Sequence, residues 1–392
     1  MPDVVFSKTL YAEEGLFSQG VEAGDLLFLA RDARALDGSL RDVGDVKDQA
    51  RQTLENLRTA LRTVGQDLEN LVTLTVFLPD YRDAWAVAEV IDAAFPHPDL
   101  AYPTTTFIGV MDLEGRCRVR IDAVATSSVD REQISAPEVP YAIGSRCHGA
   151  RVGNLLFLSG VDASNAQGKV PQPLNIENQT LEVLNRIKTI LNRRNFSLGD
   201  ICRTFMFSPS TEYRAGYTEA RKKGYHGIFQ EDGFPPNSGI YVKDLGPDIL
   251  LRSVAIASEG SKTTIHSSKV REAPGLFSQG VRVGDWVFVA GQDAVGFDRK
   301  VEAVGDLAGQ TEAALRHIKD ILEEAGGTMD DVVKTTVYLV AEQARSRFAE
   351  TYRKFFKAHC RGSTMPTGLT VEVRELSPSC LVEIDAVALL NS

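Results

Sequence analysis

GLFSQGVEAGDLLFLARDA at residues 15–33 returns as GLFSQGVRVGDWVFVAGQDA at residues 275–294, and a more divergent copy, GSRCHGARVGNLLFLSGVDA, lies between them at residues 144–163. The copies start 129 and 131 residues apart, and similar offsets recur downstream, where RVRIDAVA from Arg118 matches LVEIDAVA from Leu381. Self-similarity at a fixed spacing is the signature of tandem structural units. The sequence therefore predicts three domains, over residues 1–128, 139–258 and 266–392.

Two periodicities within each repeat predict an α+β unit. Apolar residues recur at helical spacing, and short β-branched and aromatic runs flank them in the order strand, strand, helix, strand, helix, strand, strand. Gly65 and Gly326 are placed to end the first helix in a left-handed conformation. This order predicts one sheet with both helices on one face. The first helix is predicted around residues 54–64, 184–191 and 315–325, and the second over 84–95, 213–225 and 344–356.

The segments between the copies are short and polar. Residues 127–140 and 258–268 are predicted to be linkers. A sheet with helices on one face only leaves an apolar face uncovered. Three units tied this closely are predicted to bury those faces against one another, as an intramolecular pseudo-trimer.

Composition narrows the functional class. The 392 residues are 43% hydrophobic and 24% charged, with neither a signal-peptide pattern nor an apolar run long enough to cross a bilayer, which predicts a cytoplasmic protein without a membrane partner. The net charge of −10 disfavours nucleic acid as a partner. Only the middle third, with a net charge of +3, could present a basic face.

Patterns for cofactors and metals are missing from the sequence. The five cysteines have no CxxC spacing and are interpreted as free thiols, and the six histidines have no metal-ligand spacing. The glycines of GLFSQG open a strand instead of a helix, so they do not form a phosphate-binding loop. We expect neither a cofactor nor a bound metal.

All three copies resemble the RidA family of enamine/imine deaminases, also called the YjgF or UK114 family and related to endoribonuclease L-PSP. The resemblance rests on the aromatic-Ser-Gln segment, the glycine turn that follows the second strand and the IDAVA strand near the end of a copy. It implies a chorismate-mutase-like fold, with ligand clefts between neighbouring units. In this family an arginine binds the substrate carboxylate, and a Glu in a VEIEA strand positions the water that attacks an imine carbon.

The first cleft segment is kept in two of the three copies. Phe17 and Phe277 stand in for the aromatic residue, whereas residues 146–148 of the middle copy read Arg-Cys-His. Gly291 keeps the turn glycine, and Arg31 replaces it in the first copy. By the resemblance, Phe17, Phe277 and Gly291 are candidate substrate-binding residues. Arg31 is either a substitute contact for a carboxylate or an ordinary surface arginine.

The family's arginine is absent from every copy. Thr105, Asn237 and Gly368 occupy its position, and none of them can clamp a carboxylate. We therefore expect poor deamination of 2-iminobutanoate or 2-aminoacrylate. Asn237 remains a candidate for substrate binding.

Acids are kept in two of the final strands. Asp122 and Asp385 stand for the family's catalytic Glu, although both could simply bond to neighbouring backbone, and Val254 replaces the acid in the middle copy. Strand alternation puts Glu383 on the same face as Asp385. Glu372 is either a solvated strand residue or the partner of Asp385 in an acid/base pair within one cleft.

Two other patterns favour structural interpretations. Cys147 and His148 are adjacent on a strand, so their side chains point to opposite faces and cannot pair as nucleophile and base. Residues 221–223, Arg-Lys-Lys, are predicted to be a solvated helix face.

The leading hypothesis from the sequence is a small-molecule enzyme that hydrolyses or deaminates an imine, an enamine or a related C–N centre in an interdomain cleft. A non-catalytic metabolite-binding or chaperone-like module is the first alternative, and the lost arginine favours it. An RNA-acting translation inhibitor is the second, and the acidic balance disfavours it. Further homo-oligomerisation stays open.

Overall fold

The computed structural model describes residues 3–13, 15–40, 44–96, 101–171, 175–230, 233–272, 277–340, 345–362 and 364–390. The described residues form three mixed sheets, each with two helices. The first repeat contains β1 (Asp3–Val5), β2 (Gly20–Ala23), β3 (Leu26–Asp32), α1 (Val46–Arg62), β4 (Leu71–Leu78), α2 (Ala84–Ala94), β5 (Thr104–Gly109) and β6 (Arg120–Thr126). The second contains β7 (Arg131–Ile134), β8 (Gly149–Val152), β9 (Leu155–Leu158), β10 (Val161–Asp162), α3 (Ile176–Asn192), β11 (Ile201–Ser208), α4 (Arg214–Tyr225), β12 (Asn237–Tyr241) and β13 (Arg252–Ser258). The third contains β14 (Lys262–Ile265), β15 (Gly280–Val283), β16 (Trp286–Gln292), α5 (Leu307–Glu324), β17 (Val332–Leu339), α6 (Arg345–His359), β18 (Thr367–Glu372) and β19 (Val382–Leu389).

The three sheets share one strand order. The first runs β1-β2-β3-β6-β4-β5, and the other two repeat this order with their own strands. Only the last pair of each sheet, such as β4 with β5, is parallel, because a helix crosses over between its two strands. Gly65 and Gly326 have positive φ angles of 74° and 86° beyond the ends of α1 and α5, as the sequence predicted.

Strand alternation separates the two faces of each sheet. On β6, Ile121 and Ala123 pack in the core formed with α1 and α2, whereas Val124 points to the opposite face. Val124 joins an apolar cluster that also contains Phe157 of the second repeat and Phe288 of the third. The uncovered faces of the three sheets therefore bury one another.

The predicted linkers are wrong in part, because each contains a strand. β7 pairs with β8 and β14 pairs with β15, so the second sheet begins at Arg131 and the third at Lys262. Both strands lie at the edge of their sheets and bury only one residue each, Ile134 and Ile265. With only one buried apolar residue in each strand, the sequence pattern resembles that of a polar connection.

Contacts between the repeats close a ring. Arg252 of the second repeat donates to the carbonyl of Phe107 in the first, and Arg120 of the first donates to the carbonyl of Thr370 in the third. Ser238 Oγ of the second repeat completes the ring by donating to Asp385 of the third. Within the described ranges, none of the helices combines the length and the apolar character needed to span a membrane.

Candidate functional site

One position of the last strand in each repeat faces the neighbouring repeat. Strand pairing makes Arg120 of β6, Arg252 of β13 and Glu383 of β19 equivalent, and all three are buried. The ring of repeats therefore has an acid at one interface and an arginine at each of the other two. The three interfaces therefore differ in the charge of the side chain at this position.

The acid lies in a cleft between the second and third repeats, which we call the 2/3 cleft. Its lining includes Arg221 and Asn237 from the second repeat and Phe277, Gly291, Asp293 and Glu383 from the third. Glu383 is only 6% exposed. Burial raises the pKa of Glu383 well above its usual range, and the negative charges of Asp293 and Asp385 raise it further. Such a carboxyl group stays protonated at pH values at which an ordinary glutamate is ionised.

Gly291 leaves room for the carboxyl group of Glu383. A Cβ atom at position 291 would overlap Glu383 Oε1 and would lie 2.6 Å from Ser238 Oγ. The turn glycine is therefore a packing requirement of the 2/3 cleft. A larger residue at position 291 would displace the carboxyl group of Glu383 from its place beside Ser238 of the second repeat.

We expect Gly291→Ala to lower any turnover in the 2/3 cleft at least 10-fold, because the new methyl group displaces the Glu383 carboxyl from a site where small misplacements are costly. Gly44→Ala is the matched control, since nothing lies within 4 Å of a Cβ atom there and Gly44 has no positive φ. Steady-state kinetics on both variants checks the prediction. Equal activity in the two variants would contradict it.

The opposite wall of the 2/3 cleft is basic and aromatic. Arg214, Tyr217, Arg221 and Lys222 of α4 contribute to the lining, together with Arg271 of the third repeat. Arg214 and Lys222 are exposed, whereas Tyr217 is buried and lies 3.5 Å from Asn237 through its hydroxyl group. Three basic residues of the middle third, and none of its acidic residues, are thus among the residues that line the cleft. An anionic ligand matches this wall.

The prediction of a solvated basic helix face is wrong for Arg221. Its guanidinium lies over the rings of Tyr225 and Phe234, donates to the carbonyl of Pro235, and the residue is only 5% exposed. The helical repeat directs the side chain of Arg221 toward the protein interior. Lys223 is exposed, and its Nζ lies 3.6 Å from a carboxylate oxygen of Glu177. A run of three basic residues on a helix spans more than one face.

The cleft between the third and first repeats, the 3/1 cleft, has a different composition. Phe17, Arg31, Asp32, Arg120 and Gly368 are among its lining residues. Arg120 occupies the position of Glu383 and contacts Asp32 at 2.7 Å. Phe17, a candidate for substrate binding, and Arg31, either a substitute carboxylate contact or a surface arginine, both line this cleft, which has an arginine at the position of Glu383. Phe17 also packs edge-on against Tyr352 of the third repeat.

The remaining interface, between the first and second repeats, is filled by protein groups. Arg252 contacts Asp162 at 2.6 Å and also donates to the hydroxyl of Tyr81 and the carbonyl of Phe107. The side chain of Thr106 accepts from the amide of Gly160. The first and second repeats thus bond directly to one another at this interface.

Cys147 and His148 lie just before β8 instead of on a strand, and both are held by bonds to the backbone. His148 accepts from the amide of Ala136 and bonds to the carbonyl of Val139, while burial raises the pKa of Cys147 to about 12. Gln19 plays the same part as His148 in its own repeat, where it bonds to the backbone of Ser7 and Leu10. This position ties down a loop in both repeats, and Gln19 is also among the residues that line the 3/1 cleft.

Neither Asp122 nor Asp385 is among the residues that line the 2/3 cleft or the 3/1 cleft. Asp122 contacts Lys334 of the third repeat, and Asp385 accepts from Arg203 and Ser238 of the second. Asp122, Arg203 and Lys334 line a largely apolar cavity that all three sheets enclose. The structure therefore uses both candidate catalytic acids in ion pairs between repeats.

Glu372 is not among the residues that line the 2/3 cleft. Its carbonyl accepts from the amide of Met111 in the first repeat, and its amide donates to the carbonyl of Asp112. Asp385 instead contacts the second repeat. The two residues of the predicted acid/base pair therefore contact different repeats. Glu372 contacts the first repeat, and Asp385 contacts the second.

Glu383, Asp293 and Arg221 were not among the site residues predicted from the sequence. Glu383 differs in charge from Arg120 and Arg252 at the same position of the other copies, and that reversal was a usable signal. The other two had weaker signals. Asp293 stands in a QDA turn whose aspartate all three copies share, and Arg221 lies within a run that resembles an ordinary solvated helix.

Nearly the whole length of the chain is similar to known proteins. The family model described as Endoribonuclease L-PSP matches residues 8–127, 136–259 and 269–390. A RutC family protein of Pyrococcus abyssi is 36% identical over 128 residues, which cover 33% of this chain and 97% of that protein. The 2-iminobutanoate/2-iminopropanoate deaminase of Salmonella typhimurium is 36% identical over 126 residues, which cover 32% of this chain and 95% of that enzyme.

One solved structure matches the three repeats together. The crystal structure of a chorismatase at 1.08 Å resolution aligns with a TM-score of 0.58 and 14% sequence identity, covering 92% of this chain and 98% of that one. At this identity the likeness concerns the fold alone. It shows that another single chain adopts the same overall architecture.

Proposed function

The chain belongs to the Endoribonuclease L-PSP family, which it matches three times in tandem, and from this we propose that it hydrolyses an imine or enamine of a small anionic molecule in the 2/3 cleft. The observation that carries the proposal is Glu383, a buried carboxyl group with a raised pKa that lines the same accessible cleft as Asp293. A protonated acid in a ligand cleft is a suitable donor for a nitrogen leaving group. One relative is named as an imine deaminase, which agrees with this chemistry.

The reaction needs only one proton shuttle. Glu383 donates its proton to the imine nitrogen, and the resulting iminium carbon accepts the oxygen of a water molecule, whose proton returns to the carboxylate. Glu383 then protonates the amine, the C–N bond breaks with its electron pair leaving on nitrogen, and the hydroxyl proton passes back to Glu383. The products are a carbonyl compound and ammonia. An enamine enters the same sequence after protonation at carbon.

Asp293 supports this role of Glu383 in two ways. Its negative charge helps to keep the neighbouring carboxyl protonated, and it stabilises the positive charge of the iminium ion. Arg271 lies 3.7 Å from Asp293, so the negative charge of Asp293 is partly balanced. We assign Glu383 as the acid/base residue and Asp293 as the electrostatic residue.

Arg221 replaces the missing arginine from another element. It donates to the carbonyl of Pro235, two residues before Asn237, and thus approaches the cleft from α4 instead of from β12. A guanidinium group matches the geometry of a carboxylate. Because Arg221 does not stand at the strand position, we propose a substrate whose carboxylate lies several bonds from the reacting carbon.

We expect the protein to release ammonia from imines with a remote carboxylate at least 10-fold faster than from 2-iminobutanoate, whose carboxylate adjoins the reacting carbon. A flavin amine oxidase generates the imines that lack an adjoining carboxylate in situ from the corresponding amines, and an amino-acid oxidase generates 2-iminobutanoate. Ammonia release above the spontaneous rate is measured. A neutral imine of matched length is the control for charge. If no imine of the series is turned over but the compounds bind saturably, the result would contradict this function and favour the non-catalytic binding module.

A further inference from the structure

The free faces of the three sheets enclose a cavity at the centre of the molecule, which we call the central cavity. Its volume is about 90 Å³. A buried water molecule needs roughly 10–15 Å³ on this measure, so the central cavity has room for one small organic molecule. Within the described ranges, none of its lining residues also lines the 2/3 cleft or the 3/1 cleft. The central cavity is therefore a separate site.

Aromatic side chains from all three repeats form a layer in the wall of the central cavity. Strand pairing makes Phe28 of β3, Phe157 of β9 and Phe288 of β16 equivalent, and each of them lines the cavity. Trp286, two residues before Phe288, packs edge-on against Phe28 with the ring centroids 5.8 Å apart. Aromatic rings pack favourably against one another in edge-on and offset arrangements. The layer therefore favours a ligand with an aromatic body.

Two buried polar atoms in the wall of the central cavity have no hydrogen-bond partner in the described part of the chain. They are Oδ1 of Asp122, which is 9% exposed, and Nη1 of Arg203, which is 1% exposed. The other carboxylate oxygen of Asp122 contacts Lys334, and the other terminal nitrogen of Arg203 contacts Asp385. A buried donor or acceptor without a partner destabilises the folded state. A ligand that supplies one donor and one acceptor would satisfy both atoms.

The charges around the central cavity are balanced. Asp122 pairs with Lys334, and Arg203 pairs with Asp385. The other residues that line the cavity are uncharged. An ion placed in this enclosed space would lack a counter-charge, because each charged side chain already has its partner. The central cavity therefore favours a neutral ligand.

We propose that the central cavity is a binding site for a small neutral aromatic alcohol. Its ring packs in the layer of phenylalanines, and its hydroxyl group donates to Asp122 Oδ1 and accepts from Arg203 Nη1. Asp122 belongs to the first repeat, Arg203 to the second and Phe288 to the third, so one ligand contacts all three repeats. Because the site exists only when the three sheets are assembled, the ligand stabilises the closed ring.

Titration calorimetry with phenol as the probe tests this site, and toluene is the matched control because a methyl group replaces the hydroxyl group. We expect one equivalent of phenol to bind to the unmodified protein. Toluene should bind at least about 10-fold more weakly, because it leaves the two buried polar atoms without a partner. Toluene that binds as tightly as phenol would overturn the proposal.

Thr75→Phe is expected to weaken phenol binding at least about 10-fold, because the new ring fills the space that the ligand needs. Thr75 lines the central cavity, and Phe205 already occupies the equivalent position in the second repeat. Thr263→Phe is the control variant, since Thr263 is exposed on β14 and is not among the lining residues. Unchanged phenol binding in Thr75→Phe would contradict the proposed location.

A crystal structure of the unmodified protein grown with phenol gives a readout that does not depend on how the variants fold. Phenol beside Asp122 and Arg203 supports the site, whereas ordered water alone in the central cavity at saturating phenol rejects it. These measurements report binding and not turnover. An inactive 2/3 cleft would therefore leave this test intact, and failure here would leave the imine assay intact.

Discussion

Glu383→Gln is expected to reduce the turnover of an anionic imine by about 100-fold to 10,000-fold, the usual loss when a general acid/base is removed. The amide is nearly isosteric with the carboxyl group, so it can occupy the space beside Gly291, but it cannot shuttle a proton. The reduction should appear mainly in kcat, because Arg221 and the aromatic wall that we propose to bind the substrate are unchanged. Steady-state kinetics of the purified variant against the wild type measures it.

The same variant should be more stable than the wild type near neutral pH. The folded protein raises the pKa of Glu383 above the value of about 4.3 in an unfolded chain. Between these two pKa values the folded state binds more protons, so stability falls as the pH rises through this interval. Glutamine does not titrate and avoids this loss. Urea unfolding at pH 5 and pH 8 should show the advantage of the variant growing with pH. Full activity, or a stability gap independent of pH, would remove Glu383 from the mechanism.

Much of the fold could be predicted from the sequence because it depends on local patterns that occur three times. The repeat spacing, the helices, the left-handed glycines at Gly65 and Gly326, and the α+β class are confirmed. The strands at Arg131–Ile134 and Lys262–Ile265 were missed. A polar strand at the edge of a sheet leaves almost no apolar periodicity, and only its pairing with β8 or β15 identifies it.

The candidate site was harder to predict because it lies between repeats. Alternation correctly put Glu383 and Asp385 on one face of β19, but it could not tell which of the two reaches a cleft and which faces the centre. That depends on the neighbouring repeat, where Ser238 and Arg203 surround Asp385. The inward turn of Arg221 likewise depends on Tyr225 and Phe234 beneath it.

Asp385 shows how one residue can be assigned to catalysis by resemblance and to assembly by its contacts. Burial raises the pKa of Asp385, the charge of Arg203 opposes that rise, and Ser238 Oγ donates to the carboxylate at 2.5 Å. Arg203 is 1% exposed and stacks over Phe205. Asp122 makes the corresponding contact with Lys334. At the third equivalent position, Val254 replaces the acid. Two of the three repeat boundaries therefore carry an ion pair in the centre of the molecule.

Arg203→Thr is accordingly expected to lower the free energy of unfolding by about 3 kcal/mol, because removing one partner of a buried ion pair leaves the charge of Asp385 uncompensated. Urea denaturation of the variant and the wild type measures the change. The double variant Asp385→Val with Arg203→Thr should recover most of the loss, since Val254 and Thr73 already occupy the equivalent positions at the remaining boundary. Activity of the double variant should stay within about 10-fold of the wild type, because Glu383 keeps its cleft. An Asp385→Asn protein with wild-type stability and a loss of activity of 100-fold or more would instead restore Asp385 as the acid implied by the family resemblance.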